Sequence, residues 1–141
     1  MLELLEPLHP KVVHFPVALF ITALGSEILS WMTRKQFFHQ CAVYLYVCAA
    51  LLTPLVVRTG LWEEERLHLN HPLLDKHRLF ALWTMWVSLM SLPVLWFLFQ
   101  KHLKAFRIVF VLCLIAISIV VTLTGDKGGT MVYQYRVGVE E

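Results

Sequence analysis

The sequence predicts an all-α membrane protein, a bundle of four transmembrane helices with both termini on the same side and a C-terminal flap. Three observations support this fold class. Only 16% of the 141 residues are charged, whereas soluble domains carry about 25%. The mean hydropathy is +0.66. The apolar residues fall into four runs, each of roughly 20 residues, which is the length that crosses a ~30 Å hydrocarbon core as a helix.

The predicted helices belong to a single domain, 1–141. They cover about 12–32, 37–58, 77–100 and 105–124, and the flap covers 125–141. Threading them back and forth brings the start of the first span and the end of the fourth to one end of the bundle, here called end A. The links at the opposite end, end B, are short and basic, which is typical of the cytoplasmic side. We therefore expect a multi-pass protein of the bacterial inner membrane, with both termini at a periplasmic end A.

Pro16 lies inside the first span. A proline removes one backbone hydrogen bond and displaces the carbonyl four residues earlier, here that of Val12. The first helix is therefore predicted to kink, or to start late, beside His14.

The flap is predicted from glycines and from an alternating pattern. The stretch MVYQYRVGV alternates as a short strand does. Before it, Gly128 and Gly129 permit backbone angles that other residues avoid, and their N–H groups are candidates for an anion-binding nest over end A.

Histidines gather at end A of the predicted bundle, namely His9, His14, His71 and His77. Two of them, His14 and His77, head stripes of small residues at helical spacing, a pattern that lets a neighbour approach closely. The stripes contain Ala18, Thr22 and Gly25 in the first span and Ala81, Thr84 and Ser88 in the third. Imidazole is a standard axial ligand of haem iron. We therefore predict haem b between the first and third spans, clamped by His14 and His77.

The cations Lys11, Arg58 and Arg136 are predicted to pair with the haem propionates. Two alternatives stay open. One is a non-catalytic membrane anchor of a larger respiratory or photosynthetic complex, with no cofactor. The other is a metal site without porphyrin on His9, His14, His71 and His77, because imidazole suits zinc, copper, iron and nickel.

Acidic residues are scarce in the spans. Glu27 is the carboxylate inside an apolar run, and a pair with Arg34 or Lys35 is expected. The run Glu63–Glu65, in the link after the second span, is expected to be a solvated face.

The sequence contains no motif that is typical of several common function classes. Neither a nucleophile–base pair nor a phosphate-binding glycine fingerprint appears, so we do not expect an enzyme on its own. No basic stripe with interleaved aromatics indicates nucleic acid. The partners expected are the lipid bilayer, other subunits of a membrane redox complex, and a quinone.

The opening LHPKVVHFPVAL and the close TGDKGGTMVYQYRVGV resemble the bacterial family of small four-helix membrane proteins catalogued as domain of unknown function 2231. A histidine at the start of the third span, here His77, is typical of that family, and the stretch RTGLW after the second span is similar too. The resemblance implies the four-helix fold and marks His9, His14 and His77 as the family's histidines. Some relatives are fused to Rieske-type iron–sulfur domains, which implies redox chemistry.

Overall fold

The computed structural model describes residues 8–67, 72–101 and 105–135. Their helices are α1 (Leu8–Val12), α2 (His14–Thr33), α3 (Gln36–Leu67), α4 (Pro72–Gln100) and α5 (Ala105–Tyr135). Four stretches are long and apolar enough to cross a membrane, namely Leu8–Thr33, Gln36–Arg66, Pro72–Gln100 and Ala105–Thr130. The predicted all-α bundle of four spans is therefore confirmed, with α1 and α2 sharing the first span.

The first span is interrupted beside His14, as predicted. Helix α1 ends at Val12 and α2 begins at His14. Pro16 has no N–H to donate to the carbonyl of Val12, so the helical ladder cannot run through this point. The N–H of Val13 donates to the carbonyl of His9 at 3.0 Å, which closes the short helix.

The link between the second and third spans is shorter than predicted. Helix α3 continues to Leu67 instead of ending near residue 58, and α4 begins at Pro72 instead of residue 77. Glutamate, arginine and leucine are good helix formers, so the charged stretch prolongs α3. Proline suits the first helical position, where its missing N–H is not needed.

The predicted C-terminal flap is wrong for the residues that the structure describes. Helix α5 runs without a break through Gly128 and Gly129 to Tyr135. Their N–H groups therefore lie in helical backbone and not in an anion nest. An established helix adds one hydrogen bond per residue, which outweighs a cost of about 1 kcal/mol for each glycine. Residues 136–141 of the predicted flap lie outside the described residues.

The spans form two antiparallel hairpins. Helix α2 packs most extensively against α3, and α4 against α5, while the hairpins meet through α2–α5 and α3–α4. The spans containing α2 and α4 are thus diagonal partners. Fully buried alanines let the backbones approach closely, namely Ala23, Ala42, Ala49 and Ala50.

An aromatic group occupies the centre of the bundle. The ring of Tyr46 lies 5.6 Å from that of Phe20 and 5.5 Å from that of Phe110, both edge-on. Its hydroxyl and that of Ser91 on α4 are hydrogen-bonded at 2.7 Å. This bond satisfies a polar group that the surrounding apolar core would otherwise leave unpaired.

Large apolar side chains cover the outside of the bundle. They include Phe15, Trp31, Trp83, Trp96 and Ile108, each more than half exposed. A soluble monomer does not leave such continuous apolar surface in water. The surface is therefore the one that faces lipid.

The close α2–α3 contact leads to a first prediction. Ala49→Leu adds three carbon atoms at a fully buried position, and overpacking of this kind costs typically about 1–3 kcal/mol. We expect a lower midpoint in detergent-denaturation or thermal unfolding of the purified protein. The matched control is Ala116→Leu, at an exposed position of α5, which should leave the midpoint unchanged. Equal midpoints for the two variants would contradict the α2–α3 packing.

Candidate functional site

Two histidine rings meet at end A of the bundle. His9 lies on α1 and His77 on α4. Their ring centroids are 6.2 Å apart, and the ring planes are nearly perpendicular, at 85°. Because these residues come from diagonally placed spans, the rings meet between the two hairpins.

The ring of His9 is anchored on α3. Its Nδ1 lies 3.1 Å from the carbonyl oxygen of Val56 and 3.2 Å from the hydroxyl of Thr59. That hydroxyl donates its own hydrogen to the same carbonyl, at 2.8 Å. A carbonyl only accepts, so Nδ1 of His9 must carry the hydrogen.

The ring of His77 is anchored on α5 in the same way. Its Nδ1 donates to the carbonyl oxygen of Thr124 at 3.0 Å. In a neutral imidazole the other nitrogen then keeps a lone pair. Both His9 and His77 therefore hold Nε2 as a potential ligand atom. A hydrogen bond from the second ring nitrogen to a carbonyl is also the usual support of a metal-ligating histidine.

A glycine lies beside each of the two carbonyls that accept a hydrogen bond from His9 or His77, and it leaves room for the ring. Gly60 follows Val56 by one helical turn, and Gly128 follows Thr124 by one turn. A Cβ atom at Gly60 would lie 2.9 Å from Cε1 of His9, and one at Gly128 would lie 3.2 Å from Cε1 of His77. Side chains lean toward the preceding turn of a helix, so any larger residue would cover the carbonyl. Gly128 thus belongs to the site, although not as an anion nest.

A cavity of about 70 Å³ lies next to His77. Its lining comes from all four spans and is mostly apolar, with Val17, Phe20, Val56, Thr84 and Val121 among the lining residues. The hydroxyl of Thr84 is committed to the carbonyl of Phe80 on its own helix. The cavity therefore presents a mostly apolar surface beside His77.

His14 and His77 were expected to pair, but the structure places His9 beside His77 instead. His14 is exposed on the outer face of α2, as are Ala18 and Thr22 of its stripe. The buried face of α2 is a different row, formed by Pro16, Phe20, Ala23, Glu27 and Ser30. The corresponding stripe of α4 does face inward, since Thr84 and Ser88 are buried.

A signal against His14 was present in the sequence. Glu27 is a carboxylate in a membrane span, and such a group faces the bundle interior. It follows His14 by thirteen residues within α2, which places His14 about 220° away around the helix and off the interior face. His9 lies before the interruption at Val13, so its position follows from the packing of α1 against α3 and not from this spacing.

The other predicted site residues are scattered. Lys11 and Arg58 are exposed at end A, and Gly129 lies within α5 next to Gly128. His71 and Arg136 lie outside the described residues. In the described part of the chain, no cluster of three or more His, Cys, Asp or Glu side chains is arranged to hold a metal ion.

Glu63 is buried, whereas a solvated position was expected. It is 8% exposed and lies one turn after Gly60 on α3. Its Oε1 atom has no hydrogen-bond partner within the described ranges. A buried acceptor thus lies at the same end of the bundle as the histidine pair.

A second polar cluster lies at end B, around Glu27. This carboxylate is 2% exposed. Its Oε2 lies 2.7 Å from Nδ1 of His39, and its Oε1 accepts from Nε1 of Trp31 at 3.0 Å and from Nε of Arg107 at 2.9 Å. The partners are thus His39 and Arg107, not the expected Arg34 or Lys35. Arg107 reaches Glu27 because α5 packs directly against α2.

Comparison with known proteins gives one match. The family described as "Predicted membrane protein (DUF2231)" matches residues 5–141 of the chain. No curated protein matches, and no solved structure does.

The Glu27 cluster leads to a second prediction. Arg107→Met removes one hydrogen-bond donor to a buried carboxylate, from a cation that is itself 41% exposed, and the loss of a hydrogen bond to a charged group costs about 1.5–3 kcal/mol. We expect a large fall in the midpoint of unfolding. Adding Glu27→Gln should recover part of the loss, because the unpaired charge disappears. Arg78→Gln, which breaks only exposed pairs with Glu64 and Asp75, should change stability by less than about 1 kcal/mol. Equal losses in Arg107→Met and Arg78→Gln would contradict the cluster.

Proposed function

The chain belongs to the DUF2231 family of predicted membrane proteins, and on that premise we propose that it is an electron-transfer subunit that binds b-type haem through His9 and His77. The observation that carries the proposal is the pair of imidazoles 6.2 Å apart between their ring centroids, each with its Nδ1 hydrogen-bonded to a backbone carbonyl. Imidazole is one of the axial ligands by which proteins hold haem iron.

The separation of the rings fits a shared metal. Ring nitrogens bind a metal at about 2 Å, and each nitrogen lies about 1 Å from its ring centre, so two opposed imidazoles have centroids about 6 Å apart. The hydrogen bonds to Val56 and Thr124 hold both rings in the required tautomer. The ring separation is thus compatible with one metal held by both Nε2 atoms.

The cavity beside His77 is too small to hold a haem in the conformation described. The cavity beside His77 measures about 70 Å³, whereas cofactor pockets measure about 300–1,000 Å³. His9 is anchored on one hairpin and His77 on the other, and the contacts between hairpins are less extensive than those within them. Loading of haem therefore requires the hairpins to separate at end A.

When bound, haem supplies an iron that takes up and releases one electron. The chain's own residues would hold that iron, keep both Nε2 atoms unprotonated through their Nδ1 hydrogen bonds, and exclude water by the apolar lining. Lys11 and Arg58 are exposed at the same end and are the propionate partners that we propose. Electron transfer needs a donor and an acceptor, for which we propose other subunits of a membrane redox complex and a quinone.

A bare transition-metal ion is the second candidate. The small size of the cavity beside His77 favours it, because a single ion takes up far less space than a porphyrin. Imidazole binds copper, zinc, nickel and iron. Metal analysis without a haem spectrum would identify this form.

A third prediction separates the histidines. His9→Ala and His77→Ala should each abolish haem binding in protein expressed with a haem supply, whereas His14→Ala should retain it because His14 faces outward. The measurement is the reduced-minus-oxidised spectrum with a pyridine haemochrome assay, alongside elemental analysis.

The outcomes of this experiment are distinct. Loss of a stoichiometric metal without any haem band would favour the bare ion. Wild-type protein without haem and without metal would contradict both forms of the proposal, and loss of haem in His14→Ala would contradict the choice of His9.

A fourth prediction concerns the glycine that opens α3. Gly60→Ala would place a methyl group 2.9 Å from Cε1 of His9, so the ring must move away from the carbonyl of Val56. We expect at least a tenfold loss of metal or haem affinity, within the range seen when support of a ligand is removed. The control is Gly25→Ala, whose methyl group meets nothing within 4 Å. Equal affinity in both variants would show that the ring does not depend on this opening.

A further inference from the structure

A second cavity, of about 340 Å³, lies at end B. It is lined by Ser30, Trp31, Arg34, Gln36 and Arg107, and we call it the end B pocket. Every lining residue has a polar side-chain atom, and two carry a guanidinium. This composition differs from the apolar cavity at end A.

The charge of the end B pocket is positive. Arg107 is balanced by Glu27, at 2.9 Å. Arg34 is exposed, sits in a left-handed turn with φ of 58°, and forms no salt bridge to an acid in the described part of the chain. Lys35 follows it and is exposed as well. The pocket therefore has a surplus of at least one positive charge.

The pocket lies at the ends of the membrane-spanning helices, which is where lipid headgroups meet a transmembrane bundle. Helix α2 ends at Thr33 and α3 begins at Gln36, so its lining residues mark the ends of membrane spans. The indole of Trp31 is 63% exposed, and the guanidinium of Arg107 lies 5.7 Å from the centre of that ring. Tryptophan and arginine are the residues that anchor a span at the membrane interface.

We propose that the end B pocket binds the phosphate of an anionic lipid headgroup. A guanidinium presents a planar fork of donors that matches phosphate oxygens, and the amide of Gln36 adds further N–H donors. A lipid phosphodiester carries one negative charge, which matches the surplus at Arg34. Basic pockets between transmembrane helices are a recurrent form of anionic lipid site. This inference is independent of any cofactor at end A.

The test uses the full-length protein in nanodiscs. Thermal midpoints are compared in phosphatidylglycerol and in phosphatidylcholine discs, and lipid retention is measured by native mass spectrometry after exchange into detergent. We expect phosphatidylglycerol to raise the midpoint and to remain bound at one lipid per chain. Arg34→Gln should lower that retention about tenfold, in line with the loss of a hydrogen bond to a charged group. Arg78→Gln, an exposed arginine at end A, is the matched control and should retain the lipid.

Inorganic phosphate added to phosphatidylcholine discs separates the two sources of phosphate. No shift with added phosphate, together with a shift in phosphatidylglycerol, supports the lipid. A shift with phosphate that equals the lipid effect would overturn the assignment to lipid. Equal lipid retention in Arg34→Gln and wild-type protein would overturn the site itself. Since Arg34 is exposed, the variant should fold, and a native helical spectrum confirms that it does.

Discussion

Two hydrogen bonds from imidazole to helical carbonyls determine the chemistry that end A offers. Each places a histidine from one helix against the backbone of a neighbouring helix, and each exists because a glycine one turn later leaves the carbonyl uncovered. A carbonyl oxygen is a pure acceptor, so the bond fixes the tautomer as well as the orientation of the ring. If the rings lost these partners, their N–H groups would stay unpaired in a partly buried site, at a cost of about 1–3 kcal/mol each.

A polar cluster lies at each end of the bundle, and each of the two clusters connects both hairpins. At end A, His9 is bonded to α3 and meets His77, which is bonded to α5. At end B, Glu27 joins α2 and α3 to α5 through His39 and Arg107. Between them the contact is alanine and aromatic packing, with the Tyr46–Ser91 bond as a link. Polar contacts at both ends therefore join the two hairpins.

Much of the fold was accessible from the sequence, because a long apolar run has one stable form in lipid. Each span was located, and so was the interruption at Pro16. The predicted flap is wrong because glycines and an alternating pattern are local signals, whereas helix α5 continues through both of them. The inward stripe headed by His77 was recognised from small residues. The outward stripe headed by His14 has the same composition, so composition alone did not distinguish an inward from an outward face.

The partners of the site residues depended on tertiary packing. The choice of His9 depends on the packing of α1 against α3, because the interruption at Val13 separates α1 from the helical phase of α2. The pairing of Glu27 with Arg107 needs α5 to lie beside α2, which no local pattern indicates.

The arrangement of the site at end A can be tested by measuring the distance between the rings of His9 and His77. Solid-state NMR on protein with ¹³C,¹⁵N-labelled histidine in lipid bilayers detects contacts between imidazoles about 6 Å apart. We expect a cross-peak between the rings of His9 and His77, each with a protonated Nδ1, and no cross-peak from His14 to His77. A His14–His77 contact, or no contact between His9 and His77, would contradict it.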